Sequence, residues 1–327
     1  MRFGLKAMAA AALLLAPAAC VAATCTMQDE MTTPERDALA AAGSQLTQAI
    51  AGQNLAGLKA GLYPPEASAW DGIQAAAQRA ASLVAGGRVL FRGAFLLDAS
   101  SQASTADTEF FCTNGNGSMN VTISMPNLPP GKYAVLLADA LGAPQQGQLG
   151  LILAWNSANP AWQLAGLSAR PGAFAGHDGD WYWKRARDLA KADPWSAWYS
   201  YDVAAYLLLP VDFLSSPNLE KLRQEQQQQI TPTPPSVLPL SIPDGDRSWK
   251  IDSVGLDASL DQPDLGVAYD STGVTDPAAL RTEATAVMSA FLRAQPGIRA
   301  NFHGLWAYAV RNGQRTPVME LPMDKIP

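Results

Sequence analysis

The run Leu149-Gly150-Leu151-Ile152-Leu153-Ala154-Trp155, the turn segment Asn156-Ser157-Ala158-Asn159-Pro160 and the second run Trp162-Gln163-Leu164-Ala165-Gly166-Leu167 predict a β-hairpin. Two apolar runs this close leave no room for a crossover helix, so the strands must pair antiparallel. The same pattern extends upstream. Residues 89–97, 119–125 and 133–138 are further strand-like runs, parted by Asn114-Gly115-Asn116-Gly117 and by Pro129-Pro130-Gly131. The stretch 88–169 therefore reads as an antiparallel meander rather than as βαβ units.

Helices are expected before it. Thr32-Thr33-Pro34-Glu35 combines capping-box spacing with a proline in the first turn, and Leu39, Leu46 and Ile50 then recur on one helical face. Leu55, Leu58 and Leu62 continue in a short second helix up to Pro64-Pro65, and an alanine-rich third spans 71–85 before Gly86-Gly87. Helices followed by a curved antiparallel sheet that ends in the 149–167 hairpin resemble the nuclear transport factor two-like, cystatin-like α+β cone. The resemblance covers residues 34–170 and implies a pocket enclosed by the sheet. It carries over no catalytic residue, since no histidine precedes His177.

Gly176-His177-Asp178-Gly179-Asp180-Trp181-Tyr182-Trp183 leads into a helical pair, with Asp178 or Asp180 capping the first helix and Asp193-Pro194 opening the second. Tyr182, Ala186 and Leu189 together with Ala197, Tyr201, Ala204 and Pro210 resemble, within a residue of spacing, one tetratricopeptide repeat. A single such hairpin cannot bury its faces alone, so it is expected to lie on the preceding sheet. A third helix starts at Ser216-Pro217. Residues 231–245 hold five prolines and read as a stiff connector, and the tail reads β-β-α-β-β with its helix between Asp276-Pro277 and Pro296-Gly297. The expected organisation is α+β: a signal segment 1–23, helices plus antiparallel sheet 24–170, a helical hairpin on that sheet 171–230, the connector 231–245 and a small α+β domain 246–327.

The N-terminus supplies an address. Arg2 and Lys6, an apolar run over 7–16 and small residues up to Ala23 make a secretory signal, too short to span a bilayer as a mature helix. Val21-Ala22-Ala23 fits cleavage before Thr24, giving a periplasmic or secreted protein; the alternative is a lipid anchor on Cys20. Cleavage before Thr24 leaves two of the three cysteines, Cys25 and Cys112, and an even pair in an oxidising compartment points to one disulfide. Closing so long a loop stabilises by about 4–5 kcal/mol on the chain-entropy account. Taken whole, the chain resembles uncharacterised exported bacterial proteins.

A net charge of -6 without a Lys/Arg cluster argues against a nucleic-acid binder, and the mature chain has no apolar run long enough for a transmembrane span. The segment around His177 is the candidate ligand site: His177, Asp178, Asp180, Trp181, Trp183 and Arg187 bring together an imidazole, carboxylates, indoles and a guanidinium. Six of nine Trp fall between Trp155 and Trp198, which fits a sheet–helix core or a stacking platform. With only two histidines, His177 and His303, a His-based metal site would need them to meet across domains, so no metal or other cofactor is expected. Phe302-His303-Gly304-Leu305-Trp306 reads as a buried aromatic register, and no G-x-S-x-G elbow occurs. The expected function is a non-catalytic binding or interaction module of the cell envelope, its partner an envelope protein, a peptide or a small ligand. The alternative is a small-molecule enzyme using the cone's pocket, with His177 or Asp178 as acid/base.

Overall fold

The computed structural model describes residues 23–327 except 116, 118, 145 and 272, so positions 1–22 of the signal segment, Cys20 among them, lie outside the described residues. The chain starts with a short strand β1 (Thr24–Met27), followed by α1 (Thr33–Ala51), α2 (Leu55–Ala60) and α3 (Trp70–Val84). Helix α1 begins where the capping box predicts: the Thr32 backbone N–H and hydroxyl both donate to the Glu35 carboxylate, at 2.8 and 2.7 Å. Its stripe of Leu39, Leu46 and Ile50 is buried.

Next come β2 (Arg88–Asp98), β3 (Ala106–Thr113), β4 (Asn120–Leu128), β5 (Lys132–Leu141), β6 (Gly147–Asn156) and β7 (Ala161–Pro171). They do not form one meander. β1-β2-β5-β6-β7 make an antiparallel five-stranded sheet, whereas the β3–β4 hairpin leaves it to form a second sheet with the later strand β10 (Leu214–Ser215). The continuous apolar run of β5 has its cause here. Ala134, Leu136 and Ala138 face the helices α1–α3, while Tyr133, Val135 and Leu137 face Phe110, Val121 and Ile123 of the small sheet, so neither side of the strand meets water. The Cys25–Cys112 disulfide ties β1 to β3 and so links the two sheets.

A two-residue turn at Ala175-Gly176, both at positive φ, joins β8 (Ala173–Phe174) to β9 (His177–Asp178). Then follow α4 (Gly179–Leu189), α5 (Pro194–Leu208) and α6 (Pro217–Gln229). The C-terminal sheet contains β11 (Leu240–Asp244), β12 (Arg247–Asp257), β13 (Asp264–Asp270), β14 (Gly304–Arg311) and β15 (Gln314–Pro322), in that order. Only β13 and β14 run parallel, and their crossover carries α7 (Pro277–Ala294) and α8 (Ile298–Asn301).

The α+β class is as expected; two details of the organisation differ. Helix α5 is buried nearly all round, and its Tyr199, Tyr201 and Val203 share one hydrophobic cluster with Ile251, Val267, Phe291 and Leu305. The hairpin's apolar side thus belongs to the C-terminal sheet. It meets the five-stranded sheet at the end of α5 and just beyond: Gln148 donates to Leu207 O, Ser168 to Pro210 O and Arg170 to Leu209 O, and Leu209 and Val211 pack in one cluster with Val135 and Leu137. The stretch 231–245 is also more than a connector, because Leu240–Asp244 pairs with β12 as an edge strand, a sheet position that tolerates proline. Among the described residues no helix is long and apolar enough to cross a membrane.

Candidate functional site

The segment around His177 is built as a joint. Asp178 is the N-cap of α4, accepting from Trp181 N at 2.9 Å, and so satisfies one of the free donors of the first turn. His177 stacks on Trp181 with centroids 3.8 Å apart and rings 12° from parallel. Asp180 lies exposed in the first turn, and Trp181 is 39% exposed. Trp183 turns the other way. Its Nε1 donates to Glu225 Oε2 at 2.8 Å, the Arg187 guanidinium sits over its ring at 4.6 Å, and Arg187 makes two further bonds to Glu225 at 2.8 and 2.9 Å. That fork holds the Glu225 carboxyl below the ordinary glutamate range. The six residues are therefore divided: Trp183 and Arg187 lock α4 to α6, while Asp178 and Asp180 border a cleft of about 260 Å³ with Arg92, Asp139 and Gln148.

A larger opening lies where the small sheet stops short of the end of the large one. This groove, of about 790 Å³, has Phe95, Val121, Leu137 and Leu214 in its floor and Arg36 and Arg92 at its rim. Arg92 occupies a β-bulge, where the register of β2 against β5 shifts between Phe91 and Gly93. Its guanidinium reaches Asp139 at 3.5 Å, Gln148 Oε1 at 2.8 Å and Leu208 O at 3.2 Å, whereas Arg36 donates to the Thr33 hydroxyl at 3.3 Å. At the opposite end of the inter-sheet gap, Tyr63, Met125, Tyr133, Ile152 and Phe213 line a smaller apolar cleft of about 350 Å³.

A third arrangement forms at one edge of the C-terminal sheet, from residues far apart in sequence. Asp264 opens β13, His303 directly precedes β14, and Glu320 stands near the end of β15, opposite Trp306. Because β13 and β14 are parallel and β15 returns antiparallel, these three positions converge, with one ligand atom of each within 4.8 Å of the others. His303 Nδ1 lies 2.8 Å from Asp264 Oδ1. The second oxygen Asp264 Oδ2, and Glu320 Oε1, are buried with no hydrogen-bond partner among the described residues. Burial pushes the Asp264 carboxyl up against the pull of His303, and burial followed by the Asp264 charge does the same to Glu320. Alongside, Tyr308 donates to Asp257 at 2.5 Å and carries Arg315 stacked at 4.0 Å. The expectation that His177 and His303 must meet to make a histidine site does not apply, because His303 collects its carboxylates within its own sheet.

Fold and site together define an α+β protein with a helix-backed double sheet, a second sheet–helix unit sharing its central hairpin, and an open groove between its two N-terminal sheets. No family model matches this chain, and no curated protein or solved structure is significantly similar to it.

Proposed function

We propose that the protein is an exported, non-catalytic binding module of the cell envelope whose ligand lies in the groove between the two N-terminal sheets. One observation carries the reading: an apolar floor of Phe95, Val121, Leu137 and Leu214 sits beneath a rim with two guanidinium groups, Arg36 and Arg92, against one carboxylate, Asp29. Such a surface suits an amphipathic small molecule with an apolar body and an anionic head, and its volume falls in the ligand-pocket range of roughly 300–1,000 Å³. The Cys25–Cys112 bond supports export, since structural disulfides persist in oxidising compartments.

The test is calorimetric titration with laurate, and with dodecanol as the uncharged control. Saturable laurate binding is expected, weaker for dodecanol and abolished in the Arg36→Glu/Met119→Glu variant with little change in melting temperature, because Met119 is 49% exposed at the groove mouth. Equal binding of laurate by wild type and variant, or none by wild type, rejects the groove. Export is tested separately: the N-terminus of the protein recovered from its native host should be Thr24, and a diacylated Cys20 would replace a soluble protein with an anchored one.

A further inference from the structure

We propose that Asp264, His303 and Glu320 form a site for one divalent first-row transition ion, with Zn²⁺ the best match. The inference is independent of the groove. Its first support is the donor set. One imidazole and two carboxylates are nitrogen and oxygen ligands of the kinds Zn²⁺ accepts, and three protein ligands leave a further position for water or a ligand atom, whereas Ca²⁺ and Mg²⁺ favour oxygen ligands throughout.

The second support is the state of the oxygens. Asp264 is 0% exposed, and yet among the described residues neither its Oδ2 nor Glu320 Oε1 has a donor. Two buried carboxylate oxygens without a donor in one cluster are costly for a protein to maintain. A dication neutralises both at once. The niche is also kept clear by the backbone. A Cβ on Gly304 would fall 2.7 Å from Glu320 Oε1, 2.8 Å from Leu321 O and 3.0 Å from Asp264 Oδ1, so any side chain here would drive into the cluster.

The third support is how the ligands are held. The backbone N–H of His303 donates to Pro263 O at 3.1 Å and its carbonyl accepts from Met323 N at 2.9 Å, which fixes the histidine between the start of β13 and the C-terminal turn. Its side chain remains 41% exposed, so one side of the site faces solvent and leaves an entry path. Rigid backbone placement of this kind is what a metal site needs to hold its geometry before the ion arrives.

The decisive experiment uses the untagged full chain, stripped with a chelator and titrated with Zn²⁺ by calorimetry, then with Co²⁺ by visible absorption. One equivalent of Zn²⁺ per chain, a rise in Tm on loading and a Co²⁺ d–d band are expected. His303→Gln/Glu320→Gln should abolish all three, while His177→Gln should leave them intact. If the double variant fails to fold, the isosteric Glu320→Gln alone should weaken Zn²⁺ binding by more than about tenfold, given that even outer-shell partners are worth roughly 10–100-fold. Absence of saturable uptake by wild type, or uptake unchanged by Glu320→Gln, overturns the proposal; so does loss of uptake in His177→Gln with retention in the double variant.

Discussion

The cluster that joins α4 to α6 and the cluster at the edge of the C-terminal sheet both set nitrogen groups against carboxylates. In the first, Glu225 accepts from Trp183 and twice from Arg187, so both its oxygens are engaged. In the second, the imidazole meets Asp264 alone, through Oδ1, and each of the two carboxylates keeps one buried oxygen without a donor among the described residues. The first is closed: every partner it needs comes from the fold, and it fixes the angle between two helices. The second is open and incomplete by one cation's worth of charge. Charge count alone would not separate them; hydrogen-bond satisfaction does.

The largest expected effect falls on the closed cluster. Trp183→Ala should cost about 3 kcal/mol, the lower end for a Trp truncated to Ala because the ring is only half-buried, and chemical denaturation measures it. A loss under about 1 kcal/mol would make Trp183 a surface residue and erase the contrast. Glu225→Ala should cost about 1–2 kcal/mol by stranding the Trp183 N–H and the Arg187 fork.

The open cluster should respond with the opposite sign. In metal-free protein near neutral pH, Glu320→Gln is expected to stabilise by about 1 kcal/mol, because it removes a buried charge and offers an amide N–H to Asp264 Oδ2. Destabilisation on that change would mean that the cluster is already satisfied. Asp178→Ala, a lost cap with no cluster attached, should cost about 1 kcal/mol and sets the scale for a single local bond.

The smallest effect is one of pH. Glu225 titrates below its ordinary value of about 4.5 because Arg187 bonds it, so its stabilisation is present in full above the unfolded-state value and fades as pH falls through the lower folded-state value. The melting difference between wild type and Glu225→Gln should therefore be constant near neutrality and close in acid. A difference that persists at low pH would assign the bond's effect to packing instead.

Much of this architecture is legible in the chain. Local rules sufficed for α1, whose capping box lies within four residues, and for the β6–β7 hairpin, whose turn segment forces antiparallel pairing. They failed where partners are remote. Strand β3 buries Thr108, Phe110 and Cys112 but points Phe111 outward at 70% exposure, which blurs the alternation that marks a strand. Edge strand β11 was hidden among prolines for a related reason, since proline signals a connector unless the neighbouring strand is known. The His303 cluster had no spacing to read: 264, 303 and 320 converge only through a parallel crossover and a returning strand. One faint sign was present, a glycine following the histidine at the start of a strand, where its missing side chain turned out to leave room for two carboxylates.

The Cys25–Cys112 bond also makes part of the chain a covalent ring, because the two cysteines stand 87 positions apart and enclose α1, α2, α3 and β2. A protease that cuts anywhere within this ring, for instance in the largely exposed stretch 100–105 between β2 and β3, opens it without releasing a piece. Such a nicked molecule migrates as an intact chain until the bond is reduced and then falls into two fragments. The helical layer and the small sheet thus share one fate in a protease-rich compartment.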